Sequence, residues 1–234
     1  MDALLTKSIQ RLQIYTRSMN PVLFSLSNDF LPSNIERIRC TNFNSWMDAS
    51  NYLYFIISNG ADWIINLDED AFITKWESVL ELIEFMAINE YEYCGMPDSG
   101  VSCHRRNSWM VCNPFFNIFN TNVLRKKMEN LERSEIDNFQ MKDEMEKYKP
   151  PFIRRNYKEE FSEPYNGFFY WLMSAGKGLF LDGIDHYDGI STKLLWNNKP
   201  FLYHAWYTRE FHFNPKKRKR TLRLYYEALQ EKGI

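Results

Sequence analysis

Long apolar runs are missing from this chain of 234 residues. No stretch approaches the length of about 18 apolar residues that a bilayer-spanning helix needs. The first residues also lack the charged start and apolar run of a cleavable signal. We therefore expect no membrane-spanning segment and predict a cytoplasmic location.

Cysteine is scarce as well. The sequence has four, Cys40, Cys94, Cys103 and Cys112, and their positions do not follow the spacing of a zinc site. They are also too few for the disulfide scaffold of a small secreted domain. A reducing compartment fits them, which agrees with the cytoplasmic prediction.

An excess of charge of one sign is absent too, since the net charge is −1. The whole molecule therefore offers no field that would recruit nucleic acid. The exception is local, a run of five cations from Lys216 to Arg220. Such a run adds about 1 kcal/mol per cation at an anionic leaflet. It predicts peripheral contact with the inner face of a membrane.

What is present indicates a folded globular chain, with 44% apolar and 25% charged residues. The length fits one large domain, or a domain with a small appendage. We assign residues 1–212 to one domain and residues 213–234 to a basic, helical C-terminal tail. Neither segment contains an internal repeat.

The apolar pattern predicts strands that alternate with helices. Residues 63–67 form a continuous apolar run, typical of a strand buried on both faces of a largely parallel sheet. Residues 45–58 before it have a helical pattern. At the start of the chain, residues 4–15 have helical spacing and residues 21–26 resemble a short strand. We predict an α/β fold with a mostly parallel central sheet flanked by helices.

Acidic residues follow the predicted strand at once, as Asp68-Glu69-Asp70. Ligands of open α/β sheets bind at the carboxyl ends of the strands. Two carboxylates separated by one residue can bind Mg²⁺ or Mn²⁺, which in turn binds a diphosphate. An acidic turn that ends a strand in solvent accounts for the same residues, so the Asp-x-Asp motif alone does not decide.

Four stretches together resemble a known family. They are residues 51–70, residues 94–101 (CGMPDSGV), residues 113–120 (NPFFNIFN), and Glu163-Pro164-Tyr165 with the following residues 169–172 (FYWL). They resemble the GT-A glycosyltransferases, in particular the bacterial sugar transferases that build capsule and lipopolysaccharide polysaccharides. The resemblance covers about half of the chain. It implies a Rossmann-like GT-A fold and transfer of a sugar from a nucleotide-diphosphate donor, most readily a UDP-sugar, to a glycan or lipid-linked acceptor.

The resemblance also implies site residues. The metal ligands for Mn²⁺ or Mg²⁺ would be Asp68, Asp70 and His204, with His186 as the rival histidine. The donor would be bound by Asp68, Glu69, Asp98, Ser99 and Gly100. The acceptor would be bound by Asn117, Tyr165, Trp171 and His186. The general base of an inverting transfer would be Glu163, with Glu160 and Asp98 as alternatives. A retaining enzyme would not need that base.

One departure from the family concerns the N-terminus. A GT-A domain begins with a strand that leads to the nucleotide base, but here residues 1–5 already have a helical pattern. We therefore expect the first strand to be missing, or residues 21–26 to replace it. This leaves two alternatives to a transferase: an inactive GT-A-like domain that binds a glycan or protein, and a nucleotidyltransferase. The second alternative lacks a glycine-rich phosphate loop in this sequence.

Overall fold

The structure, a computed structural model, describes residues 11–154 and 162–233 of the chain. Within these ranges ten strands form a six-stranded and a four-stranded sheet. The strands are β1 (Leu12–Arg17), β2 (Arg37–Cys40), β3 (Trp63–Leu67), β4 (Ala71–Ile73), β5 (Tyr93–Pro97), β6 (Cys112–Asn120), β7 (Gly178–Phe180), β8 (Gly183–Asp185), β9 (Thr192–Trp196) and β10 (Lys199–His204). The α-helices are α1 (Pro21–Asn28), α2 (Ala49–Asn59), α3 (Trp76–Ile88), α4 (Thr121–Met128), α5 (Arg133–Asp137), α6 (Asn166–Ala175) and α7 (Pro215–Lys232).

The first sheet has the strand order β2-β1-β3-β6-β5-β7. The pairs β1–β2, β1–β3 and β5–β7 are parallel, and β6 runs antiparallel to both of its neighbours. Helices α2 and α6 pack on one face of this sheet. Helix α3 and the second sheet pack on the other face. The prediction of an α/β fold with a mostly parallel central sheet flanked by helices is confirmed.

The second sheet is antiparallel throughout, in the order β4-β10-β9-β8. Helix α7 covers it through Leu224, Tyr225 and Ala228, which pack against Phe72 and Tyr203. The basic C-terminal segment is therefore a helix seated on a sheet. Within the described part of the chain, none of the helices has the length and apolar character needed to cross a bilayer.

The predictions for the N-terminal segment are wrong where the structure describes it. Leu12–Arg17 is a strand, in parallel pairing with β2 and β3, so the first strand is present. Residues 21–26 lie in a helix instead. Asn20 caps this helix by accepting hydrogen bonds from two backbone N–H groups, and Pro21 occupies its first turn. The predicted helix over residues 4–10 lies outside the described residues.

Candidate active site

The acidic turn links the two sheets. Strand β3 ends at Leu67 in the first sheet and β4 begins at Ala71 in the second. In the second sheet His204 pairs with Ala71, and the backbone N–H of Ala205 donates to the Asp70 carbonyl at 3.1 Å. Strand pairing therefore places the late histidine beside the acidic turn, although 134 positions separate them in sequence.

Asp68, Asp70 and His204 each offer a ligand atom, and these atoms lie within 4.8 Å of one another. Nε2 of His204 is 3.1 Å from Oδ1 of Asp70 and 4.0 Å from Oδ2 of Asp68. The Thr208 hydroxyl donates to the second Asp70 oxygen at 2.8 Å. Phe115 stacks on the imidazole at 4.2 Å. We call Asp68, Asp70 and His204 the acidic wall.

The carboxyl groups of this turn titrate unusually. Desolvation by the surrounding protein, together with the Asp70 carboxylate, raises the pKa of Asp68. Burial also raises the pKa of Glu69 to about 7, although the Asn20 backbone N–H donates to its side chain at 2.8 Å. Burial acts in the same direction on Asp70, but His204 and Thr208 outweigh it and lower its pKa. The turn thus concentrates negative charge that a cation would relieve.

The donor chemistry of the acidic wall fits a divalent ion. Two carboxylates and one imidazole are a ligand set that Mn²⁺ accepts, and carboxylates suit Mg²⁺. Nε2 of His204 faces both carboxylates, while its buried Nδ1 has no hydrogen-bond partner among residues 11–154 and 162–233. Asp68 is the outermost of the three, with 36% of its side chain exposed, so a ligand can reach the group from the cavity.

A second wall forms around Arg105, in the loop between β5 and β6. Its guanidinium donates to both oxygens of Asp98, at 2.6 and 2.7 Å, and to Oε1 of Glu163 at 3.0 Å. Burial alone would lower the pKa of Arg105, but Asp98 outweighs burial and raises it. The guanidinium is therefore a fixed cation. We call Arg105 and Glu163 the arginine wall.

Asp98 anchors the arginine wall from below. It is fully buried. Besides Arg105, it accepts hydrogen bonds from Asn107 at 3.0 Å, Asn113 at 2.6 Å and the Tyr165 hydroxyl at 2.8 Å. A buried carboxylate with four partners is satisfied and inaccessible. Asp98 therefore serves to position Arg105, rather than contacting the donor as predicted, and it is not placed to act as the base.

A cavity of about 560 Å³ separates the two walls. It lies at the carboxyl ends of β1 and β3, which are adjacent and parallel. Three further cations line it, Arg17, Arg209 and Lys217. Nη1 of Arg17 is buried with no hydrogen-bond partner in the described part of the chain. Trp46 and Tyr207, half-exposed at 50% and 48%, supply aromatic surface.

The structure divides the predicted site residues into two groups. The cavity is lined by Asp68, Glu69, Asp70, Glu163, Tyr165 and His204. The others that lie in the described ranges are not part of this lining: Asp98, Ser99, Gly100, Asn117, Trp171 and His186. Glu160, the alternative base, falls outside the described residues.

Each residue of the second group has another environment. Ser99 is buried and pairs with Arg106 through the backbone, and Gly100 turns the loop with a φ of 81°. Asn117 bonds to Asn66 inside the sheet at 3.0 Å.

The remaining two lie farther along the chain. Trp171 belongs to the core beneath α6. His186 lies 3.0 Å from Glu227 of α7, away from the acidic wall. The prediction of His186 as an alternative metal ligand is therefore wrong. His186 helps attach α7 and lies in neither cluster of potential metal ligands found in the described residues.

Sequence reasoning missed Arg17, Arg105 and Thr208. Arg17 was missed because it ends β1, and this strand was not predicted: the helix predicted over residues 4–15 covered most of its length. Arg105 lies in an irregular stretch with no periodic signal, and its contact with Glu163 spans 58 positions. Thr208 follows the recognised histidine, but a single threonine carries no motif. These side chains converge only through strand order and loop packing.

Comparisons with known proteins give distant likenesses in structure alone. No protein-family model matches this chain, and a search of the curated proteins finds no match. Among solved structures, A197 from STIV is similar over 83% of this chain and 93% of its own, at 13% identity and a TM-score of 0.43. A glycosyltransferase involved in the glycosylation of the major capsid of PBCV-1 is similar over 92% and 98%, at 9% identity and a TM-score of 0.41. At these values the function has to be argued from the site itself.

Proposed function

We propose that this protein is a glycosyltransferase that uses a divalent metal and a nucleoside-diphosphate sugar, with a UDP-sugar as the first candidate donor. The acceptor is a glycan or a lipid-linked sugar. One observation carries the proposal: a single cavity has a metal-binding ligand set on its acidic wall and a carboxylate fixed by a guanidinium on its arginine wall.

The acidic wall would bind the donor through Mn²⁺ or Mg²⁺ held by Asp68, Asp70 and His204. Such an ion stabilises the charge that develops on a leaving nucleoside diphosphate. Arg17, which also lines the cavity, adds a cation with an unsatisfied buried N–H group.

The rim offers a surface for the ring systems of the substrate. Trp46 lies at the cavity with half of its surface exposed, and indole faces bind bases and sugars by stacking.

The arginine wall would serve the acceptor. The oxygen of an acceptor hydroxyl attacks C1 of the donor sugar, the bond from C1 to the diphosphate breaks, and Glu163 takes the hydroxyl proton. This role belongs to an inverting transfer. Arg105 fixes one carboxylate oxygen at 3.0 Å, and the Glu163 side chain is 22% exposed. It is therefore accessible and oriented, as a general base has to be.

The alternative of an inactive domain that binds a glycan or protein has less support than the sequence suggested. It depended on a missing first strand, and β1 occupies that place with its carboxyl end at the cavity. A nucleotidyltransferase would use the same paired aspartates, so its product has to be distinguished by experiment.

The test is a panel of sugar nucleotides with metal-stripped protein, with and without added Mn²⁺. We expect metal-dependent release of nucleoside diphosphate, slow with water and faster with a matching acceptor. Release of pyrophosphate would show a nucleotidyltransferase instead. Binding of a nucleoside diphosphate in calorimetry, without turnover for any donor or acceptor, would support an inactive domain.

Membrane contact through the five cations from Lys216 to Arg220 is a separate proposal. The geometry of α7 limits which of these cations can face a membrane. Successive residues of a helix are rotated by about 100°, so five consecutive cations cannot share a face. Arg220 turns inward and donates to the carbonyls of Ala205 and Trp206. Lys216, Arg218 and Lys219 stay exposed. We expect cosedimentation with anionic vesicles that is lost at high salt; equal binding to neutral vesicles would contradict it.

A further inference from the structure

A second group of potential metal ligands lies outside the cavity. Cys103 and His104 are consecutive in the loop between β5 and β6, and Asp185 ends β8. One ligand atom from each lies within 4.8 Å of the others. The backbone N–H of Cys103 also donates to Oδ1 of Asp185 at 3.1 Å. The loop and the second sheet therefore already meet at this point.

We propose that Cys103, His104 and Asp185 form a zinc site that ties the loop between β5 and β6 to the second sheet. The proposal does not depend on glycosyl transfer. A thiolate, an imidazole and a carboxylate are the three ligand types that Zn²⁺ uses in proteins. The acidic wall contains no sulfur, so it suits harder ions. The two clusters thus differ in the metal they select.

The geometry needs only a small adjustment. Sγ of Cys103 is 3.9 Å from Nδ1 of His104. Tetrahedral zinc with bonds of about 2.3 Å to sulfur and 2.0 Å to nitrogen separates its ligand atoms by roughly 3.5 Å. These two atoms therefore have to approach by roughly 0.4 Å, and no pair of the three ligand atoms, which lie within 4.8 Å of one another, has to approach by more than roughly 1.3 Å. All three residues are half-buried, so water can supply the fourth ligand of a tetrahedral zinc ion.

The other cysteines do not compete for this metal. Cys40, Cys94 and Cys112 are buried. Burial raises the pKa of Cys40 to about 11 and that of Cys94 to about 12, so both remain protonated thiols. A thiolate–metal signal from the folded protein can be assigned to Cys103.

Zinc at this position would stabilise the arginine wall. Arg105 follows His104 directly in sequence, and the His104 ring contacts Trp206, at the edge of the cavity, with centroids 5.0 Å apart. Fixing the loop at residues 103 and 104 therefore restrains the guanidinium that positions Glu163. The site would act as a structural support and would not touch the substrate.

Titration of metal-free protein with Co²⁺ tests the proposal, because a thiolate ligand gives a charge-transfer band that carboxylate and imidazole ligands do not. We expect this band in the wild type, its loss in Cys103→Ser, and its retention in Asp70→Asn, in which the acidic wall lacks one of its proposed ligands. In Asp70→Asn, Zn²⁺ at about 100 times its Kd should displace the Co²⁺ and raise Tm by about 5 °C.

Asp185→Asn is a second test of the site, which remains informative if Cys103→Ser does not fold. It keeps the thiol, and we expect it to weaken Zn²⁺ binding by about 10-fold or more while the charge-transfer band persists at higher Co²⁺ concentration. The proposal fails if the wild type shows no such band, if the band survives Cys103→Ser, or if zinc raises Tm equally in all variants.

Discussion

The acidic wall and the arginine wall face the same cavity but are positioned by different means. Asp70 and His204 are placed by backbone pairing between β4 and β10. Glu163 is placed by side chains, through Arg105, which is fixed in turn by the buried Asp98. A backbone ladder tolerates substitution of the side chains it carries, whereas a side-chain network fails when one member is removed. The two walls should therefore respond differently to mutation.

The largest effect is expected at the acidic wall. Asp70→Asn removes a charge from the proposed ligand set and should reduce turnover by about 10³-fold, the scale of lost electrostatic stabilisation in a transition state. Stability should fall less than it does at the arginine wall, because the neighbouring strands keep their pairing. Calorimetry with UDP and Mn²⁺ should show that metal-dependent binding is lost.

Asp62 provides a matched control, since it precedes the same strand at the opposite end. Asp62→Asn should bind UDP and Mn²⁺ as the wild type does. If Asp70→Asn also binds like the wild type, the acidic wall is not the metal site.

At the arginine wall, the main effect of a substitution should be a loss of stability. Arg105→Met leaves the buried Asp98 carboxylate without its cation, and breaking such a pair lowers the free energy of unfolding by about 3 kcal/mol or more. Denaturant unfolding measures this. The exposed neighbour Arg106, changed to Met, should cost much less. Equal losses for the two variants would mean that Asp98 does not depend on Arg105.

Glu163→Gln should separate catalysis from stability within the arginine wall. The amide oxygen can still accept the Arg105 hydrogen bond, so we expect unchanged unfolding and donor binding. Turnover should fall by about 10²-fold, because the amide cannot take the acceptor proton. Glu210→Gln changes another carboxylate that lines the cavity and should leave turnover unaltered. Full activity of Glu163→Gln would remove this residue from the mechanism and favour a retaining transfer.

The same division explains what the sequence could and could not reveal. The continuous apolar run before Asp68 predicted β3 correctly, because a strand buried on both faces has a local signature. The prediction for the segment of β1 was wrong because Leu12 and Ile14 fit both the helical and the strand period of apolar residues. Pairing with the parallel strands β2 and β3 makes this segment a strand.

At the site, local sequence patterns were enough to predict the acidic turn, but they did not predict the contacts around it. The contact of Asp98 with Tyr165 joins residues 67 positions apart, which no local pattern encodes. The zinc proposal has the same origin, since Cys103 and His104 are adjacent in a loop but Asp185 comes from β8 of the second sheet. Recognition of Asp68 and Asp70 was possible from one segment alone, whereas the support of Glu163 required the fold.

The smallest expected effect concerns His104, next to Arg105. Burial, and then the nearby His204 and Arg105, lower the pKa of His104 to about 4, below its unfolded value of about 6.5. The unfolded chain therefore binds the proton more tightly, and the neutral imidazole favours folding above pH 6.5. This contribution is lost as the pH falls towards 4. With a chelator present to keep the protein metal-free, the contribution of His104 to the free energy of unfolding should decrease by about 1 kcal/mol between pH 8 and pH 6.

The measurement compares unfolding of the wild type with that of His104→Gln across this range. Asp68 and Glu69, whose pKa values are raised, titrate in the same window with the opposite sign, so only the difference between the two proteins isolates His104. If His104→Gln reproduces the wild-type pH dependence, the imidazole is solvated, and the loop beside Arg105 is less tightly packed than the arginine wall requires.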